Sequence, residues 1–359
     1  TSTPLPRGAS TRKAQRSSRN AITLPDAFAQ GEAPRPPPAA GLLALRPSPF
    51  VARQETRTRL LTIAHEVADL FAARAKNPAA RRLILLSGEA GVGKSRLADW
   101  LCEEAHERGL LTPLRARYRK IAAPLDGVVG AITQYYRLER ADRDVVEKVL
   151  MNLWGVAPED DDGTTWVAAT AEWLRPEGPG AKVGPSGKRF ALDHPELRWL
   201  VMRRTLERVS ADRPILLWMD DLHYAPPGTY ENVTRLLRES DKLSVLVVAT
   251  VRNEAVDAEP QNAERLATMM SAVNGERFEL APLDVSETHE LLKETLPLDE
   301  SAVTEAAARS KGNPLFALQL LHAWAMGGHL ELRDGRYCVP KASLATRAST
   351  TADLWEERL

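Results

Sequence analysis

A short glycine-rich segment is the strongest indication of chemistry in this sequence. Residues 88–95 read G-E-A-G-V-G-K-S and match the spacing G-x-x-x-x-G-K-[ST] at every position. Glycines let backbone N–H groups approach a phosphate without interference from Cβ atoms, and the positive end of a following helix attracts the same anion. The alternative is a glycine-rich turn without a ligand. The apolar strand before the motif and the helical pattern after it favour a phosphate-binding loop.

We therefore predict that this loop binds a nucleoside triphosphate together with Mg²⁺. Lys94 would reach the β- and γ-phosphates and take part in catalysis, and the Ser95 hydroxyl would be a metal ligand. The residues predicted to bind the nucleotide through this loop are Gly88, Glu89, Ala90, Gly91, Val92, Gly93, Lys94, Ser95 and Arg96.

A pair of carboxylates follows a second apolar segment. Residues 215–219 read I-L-L-W-M and lead directly into Asp220 and Asp221. The carboxyl end of a buried parallel strand lies at the sheet edge where a phosphate-binding loop also lies. We predict that Asp220 holds Mg²⁺ through water and that Asp221 polarises the water that attacks the γ-phosphate. The alternative is a pair of solvated loop carboxylates.

A further polar position follows the apolar run 243–250, which reads L-S-V-L-V-V-A-T. In P-loop ATPases the strand after the acidic pair often delivers a polar residue to the γ-phosphate, and here Thr250 or Arg252 could do so. Arg252 could also stabilise charge in the transition state. The alternative for Arg252 is an ordinary surface arginine.

Short apolar runs alternate with helical patterns and position these residues. Such alternation predicts an α/β fold with a parallel, doubly wound sheet, in the three-layer sandwich of P-loop NTPases, plus a C-terminal helical lid. The expected strands are 82–87, 110–118, 214–220 and 243–250. Within residues 125–210 we expect a helical insertion that is interrupted by loops at 160–163 and 176–188.

The pattern of composition divides the chain into four parts. Residues 1–47 are rich in proline and arginine and predict a disordered linker. Residues 48–260 would form the ATPase core and residues 261–328 the helical lid. Residues 329–359 would form a hairpin around Asp334 and the beginning of a winged-helix-like region. We expect the sequence to be a fragment of a longer protein.

Overall composition argues against a membrane-spanning protein and gives no sign of a nucleic-acid or membrane partner. The chain has 359 residues, with 48 basic and 48 acidic ones, so net charge gives no argument for a nucleic-acid or membrane partner. No apolar run approaches the roughly 18 residues that a membrane span requires. With two cysteines and no pattern of metal ligands, a reducing, cytoplasmic location is the simplest expectation.

Three further motifs resemble those of STAND-type signal-transduction ATPases, a branch of the AAA-like P-loop NTPases. Residues 49–54, P-F-V-A-R-Q, resemble the opening motif F-V-G-R-E, although Ala52 and Gln54 depart from it. Residues 220–225, D-D-L-H-Y-A, resemble D-D-L-H-W-A, and residues 312–316, G-N-P-L-F, resemble the motif that begins a lid helix.

This resemblance extends over about residues 48–359 and has several implications. It implies ATP as the ligand, with Arg53 beside the adenine and Pro314 coupling the nucleotide to the lid. Modules of this type occur in large LuxR-type transcription regulators and behind bacterial serine/threonine protein kinase domains. Protein effector domains, such as a fused kinase or regulator, and a nucleotide-dependent oligomer are therefore the expected partners.

Three hypotheses on function follow. The first is a slow regulatory ATPase that acts as a nucleotide-dependent switch. The second is a nucleotide-bound scaffold for protein assembly with little or no hydrolysis, which remains open because Asp221 stands where many AAA ATPases have glutamate. The third, a DNA-loading ATPase, is disfavoured by the balanced charge, and no direct nucleic-acid or membrane contact is predicted.

Overall fold

Five parallel strands form the central sheet, in the order β2-β3-β4-β1-β5. This arrangement comes from a computed structural model, which describes residues 38–45, 49–73, 79–177 and 182–340. The strands are β1 (Arg81–Ser87), β2 (Thr112–Arg117), β3 (Ile215–Asp220), β4 (Val245–Thr250) and β5 (Glu276–Glu279). The predicted α/β fold and its first four strands are confirmed.

Helices cover both faces of the sheet. Those before and within the core are α1 (Pro38–Leu45), α2 (Gln54–Ala72), α3 (Lys94–Glu107), α4 (Gly127–Tyr135), α5 (Arg143–Trp154), α6 (Asp161–Leu174), α7 (Pro195–Val209), α8 (Pro227–Glu239), α9 (Asn253–Asp257) and α10 (Pro260–Ser271). Those that follow are α11 (Val285–Thr295), α12 (Glu300–Ser310) and α13 (Pro314–Met326). Among the described helices, none combines the length and the apolar character needed to cross a membrane.

The strands are buried on both sides because two helical layers use alternate residues of each strand. Helices α2 and α3 pack on one face, against side chains such as Ile84 and Trp218. Helices α4, α7, α8 and α10 pack on the other face, against side chains such as Leu83 and Leu217. Every residue of β3 and β4 is buried, which explains their continuous apolar runs.

The helical insertion lies between β2 and β3 and consists of α4 to α7. The predicted loop at 160–163 is wrong, because this acidic run forms the beginning of α6. The Asp160 side chain caps that helix by accepting a hydrogen bond from the Gly163 N–H at 2.9 Å. Carboxylates favour the positive end of a helix, so a run of aspartates suits a helix start as well as a loop.

The core extends further along the chain than predicted. Helix α10 packs against α8, and β5 pairs with β1 so that Phe278 lies opposite Leu86. The predicted boundary between core and lid at residues 260 and 261 is therefore wrong, and the lid begins after β5. This edge strand has only four residues, E-R-F-E. Glu276 and Phe278 are partly buried, whereas Arg277 and Glu279 are exposed, so the strand lacks the apolar run that identifies the other strands.

The lid has its own apolar core. Trp324 on α13 is 1% exposed and belongs to one apolar cluster with residues of α11 and α12. The predicted hairpin is confirmed, with β6 (Glu331–Arg333) antiparallel to β7 (Arg336–Cys338). Asp334 and Gly335 between them both have positive φ, as a tight hairpin turn requires.

Helix α1 corrects the predicted linker over residues 1–47. It packs against α13 through Ala39, Leu42 and Leu43, which belong to the apolar cluster of the lid. These apolar side chains provide enough surface for the contact, even though prolines precede them. The other residues of the predicted linker, and the winged-helix-like region predicted after the hairpin, lie outside the described residues.

We expect Trp324→Ala to lower the free energy of unfolding by about 3–5 kcal/mol, because it leaves a cavity in the lid core. The measurement is urea denaturation followed by circular dichroism. Leu332→Ala is the matched control, since Leu332 is 60% exposed on the hairpin and its loss should cost less than about 0.5 kcal/mol. Equal losses for the two variants would contradict the burial of Trp324.

Candidate functional site

The predicted site residues meet at the carboxyl ends of three neighbouring strands. The glycine-rich loop follows β1, the Asp220–Asp221 pair ends β3, and Thr250 ends β4. Because these strands are adjacent and parallel in the order β3-β4-β1, their carboxyl ends lie at one edge of the sheet. Open α/β sheets bind their ligands at this edge.

The loop has a conformation that requires its glycines. Gly88, Gly91 and Gly93 have φ values of +144°, +83° and +98°. A Cβ atom on Gly88 would lie 2.6 Å from the Leu280 carbonyl oxygen, and one on Gly91 would lie 2.6 Å from Asn313 Oδ1. The backbone is therefore packed closely under β5 and under the lid, and helix α3 begins directly after it at Lys94.

Lys94 is held over the inside of this loop. Its side chain is almost fully buried, and its Nζ donates hydrogen bonds to the carbonyl oxygens of Gly88 at 2.9 Å and Glu89 at 2.6 Å. Burial lowers the pKa of the Lys94 ammonium, and the positive charge of Arg252 acts in the same direction. An anion in the loop would favour the charged form and would be a stronger partner than two carbonyl groups.

A buried hydrogen-bond network joins the three strand ends. Asp220 Oδ1 accepts hydrogen bonds from Ser95 Oγ at 2.7 Å and from Thr250 Oγ1 at 3.1 Å. The same Thr250 oxygen accepts a hydrogen bond from the Asp221 N–H at 2.8 Å. Asp220 is 5% exposed and Thr250 is fully buried, so this network fixes the carboxylate relative to the loop.

The two predicted metal ligands suit Mg²⁺. Ser95 Oγ and Asp220 Oδ1 are neighbouring oxygen donors beside the lysine of the loop. Magnesium prefers oxygen ligands and usually keeps several waters while it bridges one or two protein groups to phosphates. The donor set of this site therefore fits the ion that the loop motif implies.

Asp221 lies closer to solvent than Asp220. Its backbone is left-handed, with φ +55°, and its Oδ2 lies 3.5 Å from Arg252 Nη2. His223 lies behind it with a fully buried side chain, and its Nδ1 is 4.0 Å from Asp221 Oδ1. Burial lowers the pKa of His223, which keeps the imidazole neutral. The structure thus brings Asp221, Arg252 and Lys94 to the same side of the loop.

A cavity of about 390 Å³ opens between this edge of the core and the lid. It is lined by Pro49, Phe50, Val51, Arg53, Gly91, Val92, Gly93, Lys94, Ser95, Arg96, Asp221, Arg252, Leu283, Leu291, Pro314, Leu315 and Leu318. A cavity of about 760 Å³ in the helical insertion is larger, but it contains none of the motif residues. The predicted residues Gly88, Glu89 and Ala90 contribute backbone to the loop rather than to the wall of the smaller cavity.

Arg53 forms hydrogen bonds at the wall of this cavity. It has a left-handed backbone with φ +58°, and its Nη2 donates to the carbonyl oxygens of Val92 at 2.9 Å and Ala281 at 2.8 Å. Burial lowers the pKa of its guanidinium. Arg53 therefore ties the opening segment to the loop and to the beginning of the lid, beside the place where the base was predicted.

The lid contacts the loop directly through a residue that was not predicted. Asn313 Nδ2 donates to the Ala90 carbonyl at 2.8 Å, while its Oδ1 caps α13 by accepting from the Phe316 N–H at 3.1 Å. The Leu315 N–H also donates to the Gly91 carbonyl, at 3.3 Å. Asparagine before proline is a common helix start, so local sequence indicated the cap but gave no indication of the loop contact.

We expect Thr250→Val to weaken the network at the strand ends. The change leaves the partly buried Asp221 N–H without its partner and removes a donor from the buried Asp220, which should cost about 1–3 kcal/mol of stability. The measurement is the free energy of unfolding in urea. Thr250→Ser keeps the hydroxyl and should retain most of the stability, so a Ser variant as unstable as the Val variant would show that packing, not hydrogen bonding, matters at this position.

Comparisons with solved structures find similarity at low sequence identity. The ORC2 protein of Aeropyrum pernix, in ADPNP–ADP complexes, is 13% identical, with a TM-score of 0.45, over 89% of this chain and 72% of that chain. Cdc6p of Pyrobaculum aerophilum is 13% identical, with a TM-score of 0.49, over 80% of this chain and 65% of that chain, which is less than two thirds of its length.

Sequence comparison identifies the family. No curated protein matches the chain. A family model described as an AAA ATPase domain matches residues 49–248, which is more than half of the chain and contains the loop, the acidic pair and the helical insertion. The chain therefore belongs to the AAA ATPase domain family.

Proposed function

We propose that this chain is an ATP-binding regulatory ATPase, which requires Mg²⁺ and acts as a nucleotide-dependent switch. One observation carries the proposal. The phosphate-binding loop, with Lys94 and with Ser95 hydrogen-bonded to Asp220 beneath it, forms the floor of a cavity whose roof is the lid. A nucleotide in that cavity would contact both parts, so its state could determine the position of the lid.

Each polar group of the site has a role in this proposal. When bound, Mg²⁺ would supply positive charge that offsets the charge developing on the phosphates. Ser95 and Asp220 would hold it, and Lys94 would leave its two carbonyl partners to bind the β- and γ-phosphates. Asp221 would accept a hydrogen bond from the attacking water and orient it toward the γ-phosphate.

Arg252 would stabilise negative charge on the γ-phosphate. It lines the cavity and lies 3.5 Å from Asp221 in a partly exposed ion pair. Such a pair contributes little energy, so the guanidinium can turn to a phosphate at small cost. Its position supports the predicted role in the transition state, in addition to the pairing with Asp221.

Base recognition would involve the apolar part of the cavity. Phe50, Leu291 and Leu318 provide apolar walls near Arg53 and Pro314. The preference for adenine over guanine rests on the resemblance to STAND-type ATPases, as do the protein effector domains and the nucleotide-dependent oligomer that we propose. The cytoplasmic location that we propose rests on the two cysteines and the absence of a metal-ligand pattern in the sequence. We propose no direct contact of this chain with nucleic acid, given its balanced charge.

The second candidate is a nucleotide-bound scaffold that assembles partners with little or no hydrolysis. The ion pair between Arg252 and Asp221 favours it, because a carboxylate oxygen engaged by arginine is less available to accept a hydrogen bond from the attacking water. The two candidates share the binding site and differ only in turnover.

Hydrolysis assays with two variants separate these candidates. We expect Lys94→Ala to lose nucleotide binding, and Asp221→Asn to bind ATP normally while its turnover falls about 10²-fold or more. The measurement is phosphate release from ATP and from GTP with Mg²⁺, beside calorimetric binding. Turnover that survives in Asp221→Asn would contradict the role of Asp221. Binding without turnover in the unmodified chain would favour the scaffold.

The contact between lid and loop can be tested at Asn313. Asn313→Asp keeps a helix cap for α13 but replaces the donor to Ala90 with a carboxylate, so we expect the nucleotide-dependent protection of α13 from hydrogen exchange to decrease. Asn313→Ala should lose both the cap and the contact, with about 0.5–2 kcal/mol less helix stability. If the Asp variant behaves like the unmodified chain, the contact with Ala90 does not couple the lid to the nucleotide.

A further inference from the structure

Two arginines of β2 face the carboxylate that is predicted to hold the metal. Strand β2 lies beside β3, with Arg115 opposite Trp218 and Arg117 opposite Asp220. Residues two apart on a strand point to the same face of the sheet, so both guanidinium groups reach Asp220. Arg115 Nη2 donates to Asp220 Oδ2 at 2.8 Å, and Arg117 Nε lies 3.7 Å from the same oxygen.

Arg115 is fixed in this position by more than its ion pair. Its guanidinium carbon lies 3.9 Å from the centre of the Trp218 ring, and Trp218 is 1% exposed. A guanidinium over an indole face is attracted by the ring as well as by the carboxylate. The Asp220 side chain is 7% exposed and the Arg115 side chain is 35% exposed, so this partly buried pair is screened less than an ordinary surface pair, whereas Arg117 is 49% exposed and acts more weakly.

The two oxygens of Asp220 therefore have different partners. Oδ1 faces Ser95 and Thr250, on the side of the phosphate-binding loop, and Oδ2 faces the two arginines. Two positive charges next to one carboxylate give this group a net charge of about +1. A divalent cation beside Ser95 and Asp220 Oδ1 would be repelled by the positive charge of Arg115. If Asp220 had no arginine partner, its full negative charge would attract the cation instead.

We propose that Arg115, supported by Arg117, competes with Mg²⁺ for the charge of Asp220, so that the metal binds only together with the phosphates of a nucleotide. The proposal rests on the nucleotide site proposed above and adds a condition for metal binding at that site. Nucleotide phosphates bring the negative charge that the paired carboxylate no longer offers. Metal alone is excluded, and metal with nucleotide is accepted.

The first experiment measures the binding of ADP to the full chain by calorimetry across a series of Mg²⁺ concentrations. Arg115→Met keeps an apolar stem over Trp218 and removes the charge. In this variant, the Mg²⁺ concentration at which ADP affinity reaches half of its Mg²⁺-dependent increase should be about tenfold lower than in the unmodified chain. This is the effect expected when one partly screened positive charge near the metal is removed. Arg115→Gln keeps a hydrogen-bond donor without the charge, and it should behave like the Met variant.

Arg119→Met is the matched control. Arg119 follows β2 by two residues and pairs with Asp126 at 3.6 Å, so its loss removes the same charge from the region without freeing Asp220. Its Mg²⁺ requirement should equal that of the unmodified chain. An unchanged or higher Mg²⁺ requirement in Arg115→Met would overturn the proposal. A Gln variant that behaves like the unmodified chain would also overturn it, since hydrogen bonding rather than charge would then matter.

A second experiment uses Mn²⁺ alone, measured by electron paramagnetic resonance without nucleotide. The unmodified chain should leave Mn²⁺ free, and the double variant Arg115→Met/Arg117→Met should bind it in a way that Asp220→Asn abolishes. Equal Mn²⁺ binding by the unmodified chain and the double variant would overturn the proposal. The Mn²⁺ measurement does not depend on nucleotide. If the chain failed to bind ADP at all, that result would contradict the proposed function. The Mn²⁺ measurement would still test whether Arg115 and Arg117 compete with a metal at Asp220.

Discussion

The hydrogen-bonded contact between Ser95, Asp220 and Thr250 is the constraint on which the site depends. It joins side chains from three separate segments, 125 and 30 residues apart along the chain, through one carboxylate oxygen. Such a contact can form only where the carboxyl ends of β1, β3 and β4 are neighbours, so the strand order of the sheet is a requirement of the site. The apolar residues of these strands fix that order, because two helical layers bury both of their faces.

Much of this arrangement could be predicted because it is encoded by local patterns. Four of the five sheet strands were expected from their apolar runs, and the phosphate-binding loop has a spacing that few other structures require. The hairpin at Asp334 also follows from a short turn signal. These features need only the residues that form them, with no knowledge of what packs beside them.

The features that were missed depend on partners that are distant in sequence. Strand β5 has three charged residues among its four and forms because β1 offers it a free edge. Helix α1 depends on the surface of α13, and the asparagine contact to Ala90 crosses 223 residues. The arginines of β2 could have been noticed as an alternating pair, but their target became evident only once β2 lay beside β3. Pairwise contacts of this kind carry no local signature.

Helix α1 also limits how far the lid can travel. It belongs to the lid by its packing, yet it precedes the core in the chain, and only residues 46–48 connect it to the segment at Pro49 and Phe50 that lines the cavity between core and lid. Four backbone steps separate Leu45 from Pro49, so their Cα atoms can never be more than about 14 Å apart. While α1 stays on α13, the lid therefore cannot separate from the opening segment at Pro49 by more than this covalent span allows.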